Sequence, residues 1–191
     1  MSKTKQNSTK KLVLSAIFIA ISVVLNILTP IKLFYGGSVT LFSMVPLALL
    51  GWCYGSGWGF FCGAICGILN MLIEGLSNFS YVSGIWAYLI LIFADYFVAF
   101  GVMGLSGIFK NVIKNKKISF TLGAVLCCTL RFICHYISGV TIWADYTNGW
   151  IGAWIFSLTY NGSYMLPELI ITAIGCFTVI SIKPIINSIE K

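Results

Sequence analysis

Acidic side chains are scarce in this chain: five Asp and Glu among 191 residues, with charge of either sign on only 9% of positions. The surface of a water-soluble globule carries roughly 25–35% charged residues, so a soluble domain is excluded. A GxxxxGK[ST] phosphate loop is also missing, and with it the usual route to ATP hydrolysis by the chain itself. Neither HExxH nor GxSxG occurs, which removes the short signatures of zinc peptidases and serine hydrolases. The two halves show no convincing internal repeat, an argument against an inverted-repeat carrier.

What is present is apolar. Hydrophobic residues make up 59% of the sequence, above the roughly 45–50% of soluble domains, and the lipid bilayer is the solvent this composition fits. A spanning helix needs about 20 mostly apolar residues. Six stretches qualify: Leu12–Thr29, Thr40–Tyr54, Gly57–Ile73, Gly84–Phe109, Ile118–Trp143 and Gly152–Ile182. The second is the shortest and contains Pro46, so a tilted or broken helix is expected there. The sequence thus predicts an all-α integral membrane protein, residues 1–191 forming one six-helix domain with a basic N-terminus at 1–11 and a basic loop at 110–117. The apolar run after the N-terminal lysines carries no small-residue cleavage site and reads as a retained first helix.

The formal charge of +7 rests on 12 Lys and Arg, and their positions separate a membrane protein from a nucleic-acid binder. Lys3, Lys5, Lys10 and Lys11 precede the first run, Lys110, Lys114, Lys116 and Lys117 share one loop, and Lys183 and Lys191 lie at the end. Six crossings bring all three clusters to one side, the positive-inside pattern, with both termini cytoplasmic. The outward loops hold a single cation, Lys32, beside Glu74, Asn78, Asp145 and Asn148 and the aromatics Tyr35, Phe79, Tyr81 and Trp150. The seven cysteines all fall in apolar stretches and read as small hydrophobes, without disulfide or metal-ligand spacing.

Charges inside a span cost about 2.5–3.5 kcal/mol each on insertion scales, which makes each one a candidate site. They are Asp95 in the fourth stretch, Arg131 in the fifth, with His135 one turn on, and Glu168 in the sixth, after Pro167. At about 1.5 Å per residue from the outward end, Asp95 lies roughly 16 Å deep, His135 roughly 12–15 Å and Asn161 roughly 14 Å, with Arg131 a little deeper. Helical spacing aligns Arg131, His135, Gly139 and Trp143 on one face, and Ser157, Asn161, Tyr164 and Glu168 on another. Tyr88, Ile92, Asp95 and Ala99 line up on the fourth, with Tyr96 beside them. A carboxylate, an imidazole, an indole and an amide at one depth suit a flat, partly cationic organic molecule. The plainer alternative is a structural ion pair between Arg131 and Asp95 or Glu168. Gly36 and Gly37 suit a loop that approaches a ligand closely or closes over it. Ala16 and Ala20 form a small-xxx-small pair open to internal packing or to a partner helix, while Gly57, Gly59, Gly63 and Gly67 read as packing positions.

Taken together, Ala16 and Ala20, Gly36-Gly37-Ser38-Val39-Thr40-Leu41 with Ser43, Met44 and Pro46, Ala94-Asp95-Tyr96, Arg131 and His135, Ser138-Gly139, Trp143, Tyr146 and Ser157 to Gly162 resemble the ThiT family. These are the thiamine-specific substrate-binding subunits (S components) of energy-coupling-factor (ECF) vitamin transporters. The resemblance implies a non-catalytic, cofactor-free subunit that captures thiamine from outside and docks on an EcfT-like transmembrane coupling subunit bearing two ATP-binding subunits. It implies Ala16 and Ala20 as the docking face. Asp95 then accepts hydrogen bonds from the aminopyrimidine, Asn161 orients that ring, His135 and Trp143 stack on the rings, and Tyr96 adds a polar contact. Arg131, Gly37, Tyr88, Phe156 and Tyr160 complete the implied pocket. Family members with Glu at Asp95, Lys at Arg131 or Tyr at Phe156 mark where this chain departs. Other readings are a subunit for another small vitamin, a stand-alone proton-coupled carrier of an organic cation, and a membrane enzyme using His135 and Asp95.

Overall fold

The computed structural model describes residues 3–73, 79–143, 147 and 149–182. Glu74, Asn78, Asp145, Tyr146, Asn148, Lys183 and Lys191, and the side chains of Lys3, Lys5 and Trp143, lie outside the described residues. Five helices are long and apolar enough to cross a membrane and a shorter one joins them. In chain order they are α1 (Lys3–Ile27), a two-stranded ribbon of β1 (Ile31–Lys32) and β2 (Ser38–Val39), α2 (Val45–Tyr54), α3 (Ser56–Ile73), α4 (Ile85–Leu105), α5 (Lys116–Trp143) and α6 (Gly149–Val179). The bundle is apolar outside and more polar within, as lipid requires. On α6, Ala153, Ser157, Asn161, Tyr164, Glu168 and Thr172 are buried, while Ile155, Leu158, Ile170 and Ile174 are exposed.

The second stretch is shorter as a helix than its apolar run. Residues before Val45 leave the helix, and Pro46 occupies the first turn, where its missing N–H costs nothing. At ten residues α2 covers about 15 Å, half of a hydrocarbon core about 30 Å thick. Non-helical chain at residues 40–44 supplies the remaining depth, and its polar groups must find partners inside the protein. They do. The Thr40 N–H donates to Glu168 Oε2 at 2.7 Å and the Thr40 hydroxyl to Oε1 at 2.6 Å. Ser43 reaches Thr40 Oγ1 at 2.5 Å, and Ser22 of α1 donates to the Ser43 carbonyl at 2.7 Å. Glu168 therefore serves as backbone partner to the broken crossing. Gly55, at φ +91°, then reverses the chain in a single residue, a conformation that a Cβ opposes.

α4 also departs from a regular helix. Its centre, Leu91–Val98, is π-helical, and its end, Val102–Leu105, is 3₁₀. It stops four residues before the expected Phe109, because Ser106 turns away to donate to the Ala48 carbonyl. α5 starts at Lys116, where the Asn115 side chain accepts from the Lys117 and Ile118 amides. Of the glycines expected to pack α3, Gly59, Gly63 and Gly67 meet the backbone of α4, whereas Gly57 faces open space. All seven cysteines are free thiols.

The lysines mark one end of the bundle. Lys11 lies 4.0 Å from the Trp58 ring centre, Lys110 donates to the Trp52 carbonyl at 2.9 Å, and Lys117 lies over Phe177. By the positive-inside rule this end is cytoplasmic. The β ribbon lies at the opposite end.

Loss of the Glu168 carboxylate leaves the Thr40 amide without its acceptor in a dry interior. Glu168→Ala is expected to lower stability by roughly 1–3 kcal/mol, and Glu168→Gln by less, in thermal unfolding of the detergent-solubilised protein. An unchanged Tm in both variants contradicts this role.

Candidate functional site

α4, α5, α6 and the ribbon enclose a cavity of about 370 Å³ at the outward end, within the range of small-molecule sites. Its polar centre is built from two helices. The π-helical turn of α4 carries Asp95, and α5 brings His135 and Ser138 one turn apart to meet it. His135 Nδ1 lies 2.9 Å from Asp95 Oδ1, and Ser138 donates to Oδ2 at 2.7 Å. The Arg131 Nε–H donates to His135 Nε2 at 3.3 Å, so the ring proton sits on Nδ1 and is donated to Asp95. The His135 and Asp95 side chains keep 12% and 17% exposure, so the pair is open to the cavity. Each carboxylate oxygen has one donor and a spare lone pair for a ligand N–H.

Arg131 does not neutralise a carboxylate by direct contact. Its guanidinium donates to the Met44 sulfur and lies 4.2 Å from the Phe100 ring centre. Among the described residues neither Asp95 nor Glu168 forms a salt bridge with it, and the two carboxylates have separate tasks. Asn161, buried on α6, donates to the His135 carbonyl at 3.2 Å and to the Ser157 carbonyl at 2.9 Å. Its Oδ1 accepts from Tyr164 at 2.6 Å and keeps a second lone pair for a ligand donor. Gly139 lets the two helices meet here, since a Cβ would lie 2.3 Å from Ser157 Oγ.

The ribbon forms the outer wall. Gly37 fits where no side chain can, its would-be Cβ 2.7 Å from the Tyr160 hydroxyl. The Gly37 N–H donates to that hydroxyl at 2.8 Å, and the hydroxyl donates to the Phe34 carbonyl. Tyr35 adopts a left-handed conformation, φ 64°, and sets its ring edge-on against Tyr81, Phe156 and Tyr160 at 5.6, 6.2 and 6.0 Å. Phe156 and Tyr160 stack in parallel at 5.7 Å. The mouth is therefore an aromatic enclosure of the kind that holds cations.

Of the residues singled out in the sequence, Asp95, Tyr96, Arg131, His135, Asn161, Gly37, Phe156 and Tyr160 line this one cavity. Tyr88 does not. It stacks on Phe79 at 5.5 Å, because a π-helical turn takes more residues than an α-helical one and rotates Tyr88 off the Asp95 face. Trp143 ends α5, with its side chain outside the described residues. Tyr35, Tyr81, Lys32, Ser138, Asn26 and Asn70 also line the cavity. The first three read as outward-loop residues in the sequence, and nothing local distinguishes the two asparagines. Ala16 and Ala20 are both exposed on α1, on the side away from Ser22 and the cavity.

The sequence profile of the family described as Thiamine transporter protein (Thia_YuaJ) matches residues 12–187. Thiamine transporter ThiT of Bacillus subtilis is 31% identical over 175 residues, 86% of each chain. Thiamine transporter ThiT of Lacticaseibacillus paracasei is 23% identical over 152 residues, 75% of this chain and 73% of that one. A solved structure of ThiT from Listeria monocytogenes superposes with a TM-score of 0.69 at 24% identity, over 92% of this chain and 96% of that one, and has the same fold.

Tyr160 is the tie between ribbon and helix. Tyr160→Phe removes a hydrogen bond worth about 0.5–1.5 kcal/mol, so the Gly37 amide is expected to exchange with deuterium roughly two to ten times faster. Exchange at the wild-type rate contradicts the tie.

Proposed function

The chain belongs to the thiamine transporter protein family, and from that premise we propose that it is the thiamine-capture S component of an ECF importer. It is a multi-pass bacterial membrane protein and a transport protein rather than an enzyme, working as a single six-helix domain without cofactor. The observation that carries the substrate reading is the Asp95–His135–Ser138 cluster, facing a cavity whose mouth is aromatic.

Thiamine is a cation with an aminopyrimidine and a thiazolium ring. The spare lone pairs of Asp95 accept from the aminopyrimidine, a charge-assisted bond strengthened by the low dielectric. Asn161 Oδ1 accepts from the same ring and fixes its orientation. His135 and Trp143 stack on the rings, and Phe156, Tyr160 and Tyr35 enclose the cationic one. Tyr96 adds a contact beside Asp95, and Arg131 holds His135 as an acceptor at Nε2. Tyr88 stands outside this contact set, stacked on Phe79. The loop 33–37 between the ribbon strands, held by Tyr160, closes the cavity toward the outside.

The sequence has no GxxxxGK[ST] phosphate loop, and in this reading the energy for inward delivery comes from partners: a transmembrane coupling subunit and two ATP-binding subunits. The exposed Ala16 and Ala20 on α1 support a docking face, since small residues let a partner helix come close in lipid.

Reconstitution in liposomes tests this. The chain alone is expected to bind thiamine without moving it, and uptake is expected only with the coupling subunit, both ATPases and ATP. Ala16→Trp and Ala20→Trp are expected to bind as wild type and to abolish uptake. Uptake by the chain alone under a proton gradient contradicts the proposal and supports a stand-alone carrier; normal uptake by both variants moves the docking face elsewhere.

A further inference from the structure

α3 and α4 touch along a row of glycines, and the last of them abuts the turn that carries the site carboxylate. A Cβ at Gly59 would lie 2.5 Å from the Gly104 carbonyl oxygen, at Gly63 2.3 Å from that of Phe100, and at Gly67 2.1 Å from that of Tyr96. Even a close Cα–H···O contact leaves about 3.3–3.6 Å between carbon and oxygen, so none of these positions accepts a side chain without a shift of backbone. Both helices repeat the contact every fourth residue, which sets the three contacts one turn apart.

The three contacts differ in what they hold. Gly59 meets the 3₁₀ end of α4, remote from the cavity. Gly67 meets Tyr96, in the π-helical turn Leu91–Val98 that also carries Asp95. A π-helical turn is wider than an α-helical one and has poorer intrinsic stability, so its geometry depends on what packs against it. Here one side of the turn rests on Gly67, while the adjacent residue bonds His135 and Ser138 of α5. Gly67 does not itself line the cavity.

We infer that Gly67 is a positioning residue for ligand capture: its missing side chain lets the Tyr96 carbonyl rest on α3, and that contact sets where Asp95 presents its carboxylate to His135, Ser138 and the ligand. The functional half of this inference rests on the proposed thiamine site; the geometric half does not.

The chain's single histidine makes the test direct. In protein carrying nitrogen-15 histidine, the Nδ1–H of His135 gives one resonance that reports its bond to Asp95. Gly67→Ala is expected to displace that resonance toward its position in Asp95→Asn and to raise the thiamine Kd about tenfold or more, the effect of a weakened charge-assisted bond. Gly59→Ala, with a comparable clash, is expected to lower Tm yet leave the resonance and the Kd at wild type. Added to Asp95→Asn, Gly67→Ala is expected to change Kd little further, because both act through one carboxylate. If Gly67→Ala yields no folded protein, Gly63→Ala, one turn further off, is expected to shift the resonance in the same direction by less. A wild-type resonance in the folded alanine variant, an equal shift in Gly59→Ala, or additive effects on Kd overturns the inference. Failure of wild-type protein to bind thiamine instead sinks the substrate reading, and the histidine resonance still decides the role of Gly67.

Discussion

A carboxylate inside an apolar bundle persists only where donors hold it, and the site depends on how Asp95 is held. His135 and Ser138 each donate to one of its oxygens, and Arg131 directs the imidazole from behind. These bonds tie α4 to α5, and Asn161 ties α5 to α6 just beside them. The same bonds leave lone pairs at a cavity, so the fold's polar joint is also the proposed recognition surface. A buried ion pair serving structure alone would have consumed them.

The second carboxylate shows the opposite use. Glu168 spends both oxygens on Thr40, which holds non-helical chain at membrane depth. That chain carries Met44, whose sulfur meets Arg131, and it begins at β2, which forms part of the outer wall. The supporting carboxylate and the candidate site are therefore neighbours in space, with Arg131 between them. The proposed docking face lies on α1, and Ser22 of that helix bonds the Ser43 carbonyl of the same segment.

Much of this was legible in the sequence, because the bilayer makes polarity a rare signal. Counting residues from the membrane surface puts Asp95, His135, Arg131 and Asn161 at one depth, and the structure brings them within a few bonds of each other. The positions of the lysines give sidedness. Less was legible where backbone conformation is set by neighbours. α4 is π-helical over Leu91–Val98, so the helical register that grouped Tyr88 with Asp95 fails there. The short α2 follows from partners of Thr40 that lie 128 residues away. Tyr35 reads as an interfacial aromatic, and only the ribbon, with the Tyr160 hydroxyl behind it, turns that ring to the cavity mouth.

The central claim is that Asp95, presented by this joint, captures the cationic vitamin. The most direct measurement is an equilibrium titration of the purified, detergent-solubilised chain with thiamine, read by quenching of its six tryptophans, beside the same titration of Asp95→Asn. The account predicts saturable quenching in the wild type, absent with riboflavin and biotin, and a large loss of affinity in the folded variant. Equal affinity in the two proteins, or no response of the wild type to thiamine, contradicts it.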